Sequence, residues 1–125
     1  MRRAQVLAST GHPDEARALF TEALAALDAL ARFAEGHELG EAQLLRAFTL
    51  EALGRAGDVR AALDAALDAA PDDRSVAGHA VSFCLGHARW SDALDLSRRA
   101  RAQLTLEPAW QVYFALWSRH AAQLG

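Results

Sequence analysis

Residues 11–31 read GHPDEARALFTEALAALDALA, and this stretch decides the fold class. Its apolar residues recur at intervals of three and four, which places them on one face of an α-helix. Pro13 suits the first helical turn, and the two acidic residues after it favour the positive end of the helix dipole. We therefore predict a helix from Pro13 to about Glu35 that ends at Gly36. Its apolar face comprises Ala16, Leu19, Phe20, Ala23, Leu24, Leu27, Leu30 and Ala31.

In the rest of the chain, glycine, proline and acidic residues likewise indicate where helices begin and end. Residues 36–40 predict a loop, and Gly57 with Asp58 predicts a turn and an N-cap. Pro71 ends a helix, and the pair Asp72-Asp73 caps the next one. The chain is thus predicted to form seven helices, near residues 2–9, 13–35, 41–56, 59–70, 74–87, 91–104 and 109–122. In the third of these, the residues predicted to face the core are Leu44, Leu45, Phe48, Ala52 and Leu53. Short turns make consecutive helices antiparallel neighbours.

The composition favours one all-α domain over residues 1–125. Alanine, which has the highest helix propensity, is abundant, whereas the chain holds only three prolines. The net charge is −3, so no basic field favours binding to nucleic acid. No apolar run reaches the length of about 18 residues that a membrane span needs. We therefore expect a cytoplasmic protein that contacts neither nucleic acid nor membrane.

Three segments resemble the tetratricopeptide repeat (TPR) family. That family's pattern is a turn followed by Ala-x-x-x-Phe and a further alanine on the second helix of a hairpin, with a closing proline. In residues 11–24 the matching positions are Ala16, Phe20 and Ala23. In the segment that begins at residue 57 they are Ala62, Ala66, Ala69 and Pro71. In the segment that begins at residue 88 they are Ala93, Ser97 and Ala100.

The resemblance implies antiparallel helical hairpins stacked as a short right-handed α-solenoid. The hairpins would span about residues 1–35, 41–70 and 74–105, followed by a terminal helix at 109–122. The resemblance also implies that the first helix of each hairpin lines a groove for a peptide or partner protein. By position, the groove residues are Leu44, Ala47, Glu51, Arg55, Ser75, Gly78, His79, Ser82 and Leu85. The family's clamp for a peptide carboxylate uses asparagine and lysine or arginine. The chain contains no Asn and no Lys, so we do not expect that clamp in its usual form.

His79, Cys84 and His87 lie on one predicted helix and are the candidates for metal or thiol chemistry. Cys-x-x-His offers two zinc ligands, but a structural zinc site needs four. The two histidines are about 12 Å apart along the axis, too far to share one metal. Cys84 falls on a buried helix position, where free cysteine is usually found. No phosphate loop, nucleophile elbow or His-Glu-x-x-His motif is present. We therefore expect no catalytic residue, no metal and no cofactor.

The densest basic cluster in the sequence comprises Arg89, Arg98, Arg99 and Arg101. Because the guanidinium fork binds carboxylates, one interpretation is a site for an acidic peptide. The favoured interpretation is a solvated outer face, since a single cluster on an acidic protein creates a weak field. Asp64 and Asp68, four residues apart, are likewise expected on a solvated face.

The last predicted helix carries an aromatic stripe at positions i, i+3, i+4 and i+7: Trp110, Tyr113, Phe114 and Trp117. One interpretation is that the stripe caps the hairpin before it, as a terminal repeat element must. The other is that part of the stripe faces outward as a homodimer seam or partner site, because Trp and Tyr are enriched at binding hot spots.

These observations predict a non-catalytic scaffold module that binds a peptide or partner protein, or associates with a second copy. An alternative is the small-ligand sensor domain of a bacterial transcription regulator. That hypothesis predicts a closed apolar pocket around Phe48, Phe83 and His79. A third hypothesis, a thiol- or metal-dependent enzyme, depends on Cys84 and His87 alone.

Overall fold

The structure of the chain is a computed structural model that describes residues 13–103 and 108–124, with side chains of the last helix described from residue 112 onward. Over these residues the chain forms six α-helices and no strand, so the predicted all-α class is confirmed. The short helix predicted near residues 2–9 lies outside the described residues. The helices are α1 Pro13–Ala31, α2 Gly36–Ala52, α3 Ala56–Ala69, α4 Arg74–Gly86, α5 Trp90–Gln103 and α6 Pro108–Leu124.

The predicted loop at residues 36–40 is wrong, because this segment forms the first turn of α2. Glu35 is extended, with φ −137° and ψ 158°, and Gly36 has a φ of +58°. The chain therefore changes direction around these two residues and re-enters a helix at once. As a consequence α1 ends at Ala31, earlier than the predicted end at Glu35.

The second glycine of that segment, Gly40, is buried in a helix instead of bending a loop. A Cβ atom there would lie 3.0 Å from Cγ2 of Val76 and 3.2 Å from Cβ of Ala70. Contacts this short are tighter than a packed interior tolerates. Gly40 thus lets α2 approach α4 closely.

The start of α3 also differs from the prediction. The N-cap position is Arg55, without a side-chain capping bond, and Asp58 lies in the first turn of the helix. Asp58 forms an ion pair with Arg55, with 2.9 Å between Oδ2 of Asp58 and Nη2 of Arg55. The acid therefore supports the helix start through its charge near the positive end of the dipole, and the prediction that it is the N-cap is wrong.

The predicted cap of α4 is confirmed. The carboxylate of Asp73 accepts hydrogen bonds from the backbone amides of Ser75 and Val76, at 3.0 and 3.1 Å. These bonds satisfy two of the amides that a helix N-terminus leaves without partners.

Each helix packs on the next one along the chain, and α2 also contacts α4 while α3 contacts α5. Gly40 on α2 faces Val76 on α4, and further along both helices Phe48 contacts Phe83. Residue numbers thus increase together across this contact, so α2 and α4 run in the same direction. The ion pairs of Arg60 with Asp92 and of Asp68 with Arg99 show the same order for α3 and α5.

The core lies between these helices and combines branched aliphatic residues with alanine. Its fully buried larger side chains include Leu50, Val59, Leu63, Leu67, Val76, Val81, Leu96 and Phe114. Among its fully buried alanines are Ala47, Ala62, Ala66, Ala80 and Ala93. Small residues beside large ones let helix axes approach while the interior stays filled. A buried hydrogen bond of 2.7 Å between the hydroxyls of Ser97 and Ser118 joins α5 to α6.

Candidate binding cleft

An open cleft of about 520 Å³ lies between α2 and α4. Its residues come from one face of each helix, and most of the surface they present is apolar. They are Glu41, Leu44, Leu45, Phe48, His79, Ser82, Phe83, Gly86 and His87. The volume falls in the range of about 300–1,000 Å³ that is typical of binding pockets.

Three rings form the aromatic end of the cleft. Phe48 on α2 meets Phe83 on α4 edge to face, with ring centroids 4.6 Å apart and an interplanar angle of 73°. The imidazole of His87 lies 4.2 Å from the Phe83 ring. Phe83 is buried, whereas Phe48 is 40% exposed and Leu45, one turn earlier, is 43% exposed. The cleft therefore presents apolar surface to solvent above a buried aromatic floor.

The sequence prediction placed Leu45, Phe48 and Ala52 in the core, and it is wrong for Leu45 and Phe48, which are exposed at the cleft. Ala52 is exposed as well, whereas Leu44 and Leu53 are buried as predicted. The reason is that α2 carries apolar residues on more than one face, and neighbouring helices do not cover all of them. Periodicity alone cannot separate a covered apolar face from an uncovered one.

The polar groups of the cleft are two histidines, a serine and one carboxylate. His79 and Ser82 are exposed along α4. The Nδ1 atom of His87 lies 2.9 Å from the backbone oxygen of Phe83. Since a carbonyl oxygen only accepts, Nδ1 carries the proton of this bond, and Nε2 is an acceptor in the neutral ring.

The carboxylate, Glu41, stands at the opposite end of the cleft from the aromatic rings. Its Oε1 atom lies 2.9 Å from Nε2 of His37, whose Nδ1 contacts the carboxylate of Asp73. His37 thus bridges the first turns of α2 and the cap of α4. The hydrogen bond to Asp73, followed by its charge, raises the pKa of His37. Partial burial alone would raise the pKa of Asp73, but the bonds from His37 and from the capped amides outweigh it and lower that pKa.

A shallower depression continues the cleft along α4 towards α6. Its volume is about 370 Å³, and it shares His79 and Ser82 with the cleft. The remaining lining residues are Arg74, Ser75, Gly78 and Trp117. The exposed face of α4 therefore forms the floor of one continuous groove.

The structure brings together five of the nine predicted groove residues. Leu44, His79 and Ser82 line the cleft, and Ser75 and Gly78 line its continuation. The other four point elsewhere or are engaged. Ala47 is fully buried, Leu85 packs on the core, Glu51 pairs with Arg89 and Arg55 pairs with Asp58. The sequence interpretation of the groove missed Glu41, Leu45, Gly86 and His87. Phe48 and Phe83 were named together only in the sensor hypothesis, which predicted a closed pocket around them. The structure shows an open cleft at these residues.

The aromatic stripe of α6 is divided between the core and the surface. Phe114 is fully buried, Trp117 is half-buried, and Tyr113 is 54% exposed. The Trp117 ring contacts both of its neighbours in the stripe, with centroid distances of 5.3 Å to Phe114 and 5.6 Å to Tyr113. The side chain of Trp110 lies outside the described residues. A different set of apolar residues is exposed on α6: Val112, Tyr113, Leu116 and Leu124.

Cys84 is fully buried, in agreement with its predicted position in the core. Burial raises the pKa of its thiol to about 12. A group with that pKa stays protonated at neutral pH, and the thiol is a much weaker nucleophile and metal ligand than the thiolate. Within residues 13–103 and 108–124, no three His, Cys, Asp or Glu side chains are grouped so as to hold a metal ion.

Two residues of the predicted basic cluster, Arg89 and Arg99, form ion pairs with side chains on other helices. Arg99 pairs with Asp64, which is partly buried, and with Asp68, which is exposed as expected. Arg89 bonds to Asp92 and to the backbone oxygen of Ala56, besides Glu51. Arg98 and Arg101 are exposed.

Arg60 connects these pairs, with bonds of 2.9–3.3 Å to Asp92, Asp64 and Asp95. Its partial burial would lower its pKa, but the hydrogen bonds that it donates to Asp92 and Asp64 outweigh this and raise its pKa. We call the three arginines Arg60, Arg89 and Arg99, with their acidic partners, the ionic seam. It fastens α3 to α5.

Comparison with protein families, with curated proteins and with solved structures found no match to this chain. Over the part of the chain that the structure describes, none of the helices combines the length and the apolar character that crossing a membrane requires.

Proposed function

We propose that this chain is a non-catalytic protein-interaction module, and that the cleft between α2 and α4 receives an apolar side chain of a peptide or partner protein. The observation that carries the proposal is the exposure of Leu45 and Phe48 beside the buried ring of Phe83. Apolar surface gains about 25 cal/mol for each Å² removed from water, so an uncovered aromatic cleft favours an apolar occupant.

The proposed architecture is a short right-handed stack of TPR-like helical hairpins. Two observations support it: the parallel course of α2 and α4 and of α3 and α5, and the burial of signature positions such as Ala62, Ala66, Ala93 and Ser97. In such a stack α2 and α4 are the first helices of consecutive hairpins. The cleft and its continuation along α4 would then lie on the inner surface, where that family binds its partners.

The test is a selection of peptides from a random 12-residue phage-display library on the immobilised full chain. Enriched peptides are synthesised, and their affinities for wild type, Phe48→Ala and Leu30→Ala are measured by fluorescence polarisation. Leu30 is the matched control, because it is an exposed apolar residue of α1, a helix that does not line the cleft. We expect Phe48→Ala to weaken binding by tenfold or more and Leu30→Ala by less than twofold. Affinities that do not depend on Phe48 would refute the proposal.

The alternative proposal is a small-ligand sensor domain, and the volume and aromatic walls of the cleft favour it. A small ligand needs most of its surface enclosed, whereas Leu45 and Phe48 leave this cleft open. Ligand-observed NMR with a library of aromatic fragments distinguishes the two. Saturable binding of a fragment that Phe48→Ala abolishes, combined with no enriched peptide, would favour the sensor.

Association with a second copy remains a proposal for the exposed face of α6. Val112, Tyr113 and Leu116 are each more than half exposed. A group of exposed apolar side chains on one helix is typical of a surface that contacts another protein. Light scattering coupled to size-exclusion chromatography of wild type and Tyr113→Ser/Leu116→Ser tests it. A dimer that the double variant makes monomeric would support this role, whereas a monomeric wild type would exclude it.

A further inference from the structure

We infer that the segment bound in the cleft carries a cationic side chain, arginine or lysine, close to its apolar anchor. This inference rests on the proposed function of the cleft and specifies the chemistry of the partner. Its basis is the position of Glu41 at the end of the cleft opposite the aromatic rings.

Glu41 gives the cleft a negative end. Among the residues that line the cleft, it is the one carboxylate, and its side chain is about half exposed. Glu38, one turn earlier on α2, is exposed as well. No arginine lines the cleft. A chain with a net charge of −3 would also attract a basic segment during diffusion.

The contacts of His37 leave Glu41 available to such a cation. Asp73 is held by two backbone amides in addition to His37, whereas the ion pair with His37 is the contact that the structure shows for Glu41. A neutral imidazole has one N–H, so it donates to only one of the two carboxylates. With that proton on Nδ1 towards Asp73, the lone pair of Nε2 faces Oε1 of Glu41 at 2.9 Å. In that state Glu41 receives no N–H from His37, so an incoming ammonium or guanidinium group would supply the donor that it lacks.

The geometry of α2 sets the spacing of the motif. Glu41 precedes Leu45 by one turn and Phe48 by two, which corresponds to about 6 Å and about 10 Å along the helix axis. An extended peptide covers about 3.3 Å per residue, so the cation would follow or precede the anchor by two or three residues.

The ionic seam argues against an acidic partner. Arg74 lines the continuation along α4 and not the cleft that holds Glu41. The arginines of the seam, Arg60, Arg89 and Arg99, already contact acidic side chains on the chain itself. An acidic peptide would have to displace those partners, whereas a basic peptide finds Glu41 at the cleft.

The experiment uses the peptides selected at pH 7.5 on the full chain. Their affinities are compared for wild type, Phe48→Ala, Glu41→Gln and Glu41→Arg. The matched control is Glu22→Arg, which makes the same change in net charge at an exposed position of α1, a helix that does not line the cleft. Circular dichroism and thermal unfolding of each variant verify that it folds.

We expect enriched peptides to carry Arg or Lys within three residues of an aromatic or large aliphatic anchor. Glu41→Arg should weaken their binding about tenfold, Glu41→Gln less, and Glu22→Arg less than twofold. Replacing the peptide's basic residue by glutamate should restore binding to Glu41→Arg, because the charges are then exchanged.

Two outcomes separate this inference from the proposed function. Peptides that depend on Phe48 but show no basic preference and no response at Glu41 would overturn the inference and leave the proposed function intact. Peptides that do not depend on Phe48 would overturn both. Oligomers of wild type that Phe48→Ala dissociates would identify the occupant as a second copy and overturn the inference.

Discussion

The cleft and the ionic seam lie between equivalent pairs of helices, yet their chemistry is opposite. Both α2 with α4 and α3 with α5 are parallel neighbours separated by one helix in the chain. Between α3 and α5, three arginines and their acidic partners close the surface with ion pairs. Between α2 and α4, apolar side chains meet at the base and remain open to solvent above it.

The difference shows that the same packing of helices can produce a closed or an open surface, depending on side-chain reach. The arginine side chain is long enough to cross from one helix to the next, so the seam satisfies its own charges. Leu45 and Phe48 are shorter, and the small residues Ser82 and Gly86 on the α4 side of the cleft leave both partly exposed. One face is therefore closed by contacts within the chain, and the other remains open to solvent.

The first prediction compares the two rings of the cleft. Phe83→Ala should lower the free energy of unfolding by about 3–4 kcal/mol, because it empties a buried site. Phe48→Ala should cost only about 1 kcal/mol, the value of an exposed ring in an edge-to-face pair. Urea unfolding followed by circular dichroism measures both. Equal losses would mean that Phe48 is as well packed as Phe83, so that its ring would not be an exposed apolar surface of the cleft.

The second prediction concerns the contact beneath the cleft. Gly40→Ala should destabilise the chain by about 2 kcal/mol, because the new methyl group would meet Val76, which is fully buried and has no room to move. Gly57→Ala is the control, since nothing lies within 4 Å of a Cβ at that helical position. The control should be neutral or slightly stabilising, by up to about 1 kcal/mol. A stable Gly40→Ala variant would show that α2 and α4 are not tightly packed.

The third prediction tests the seam. Arg60→Met keeps most of the side-chain volume and removes the positive charge that forms ion pairs with Asp64, Asp92 and Asp95. We expect a loss of about 1 kcal/mol at low salt, since the side chain is about one-third exposed and solvent screens its pairs. The loss should shrink at 1 M salt.

Arg98→Met is the control for the seam, because Arg98 is exposed on the same helix as Arg99. It should leave stability unchanged at either salt concentration. A loss for Arg60→Met that is independent of salt would indicate that packing, and not charge, closes the seam.

The fourth and smallest effect concerns the bridge between the two helices of the cleft. Folding raises the pKa of His37, so its contribution to stability is complete below about pH 6.5 and is lost as pH rises through the folded pKa. Folding lowers the pKa of Asp73, so its contribution is present above about pH 4 and is lost as pH falls through the folded pKa. The stability difference between wild type and His37→Gln should therefore be largest near pH 5–6.

Urea titrations at pH 5.5 and 8.5 measure this difference, with His120→Gln, an exposed histidine of α6, as the control. A difference that is the same at both pH values would exclude an electrostatic role for His37.

Sequence reasoning succeeded where the signal is local. The cap of α4 was predicted at Asp72-Asp73, and it forms at Asp73, because a side chain and the amides two and three residues later suffice to form it. The burial of Cys84 followed from its position on an apolar helix face. Residues 36–40 misled the prediction because glycine allows a turn and also a close helix contact, and only the position of Val76 distinguishes these.

The candidate site was predicted only in part. His79 and Ser82 were placed on the groove by resemblance to a repeat family, but Leu45 and Phe48 were assigned to the core. Nothing in the spacing of α2 tells which of its apolar faces another helix covers. Arg89 and Arg99 were likewise interpreted as part of a solvated basic cluster, because the acidic partners that they meet on other helices lie about 30–40 residues away in the chain.

The sequence by itself thus determined the class of the fold, the number and approximate limits of the described helices, and the residues able to pack closely. These follow from helix propensity, capping and a period of 3.6 residues, which are properties of neighbouring residues. Only the tertiary structure decided which apolar faces stay open and which charges are neutralised. Both depend on contacts between α2 and α4 and between α3 and α5, and the distance in space between such segments is not encoded in their local pattern.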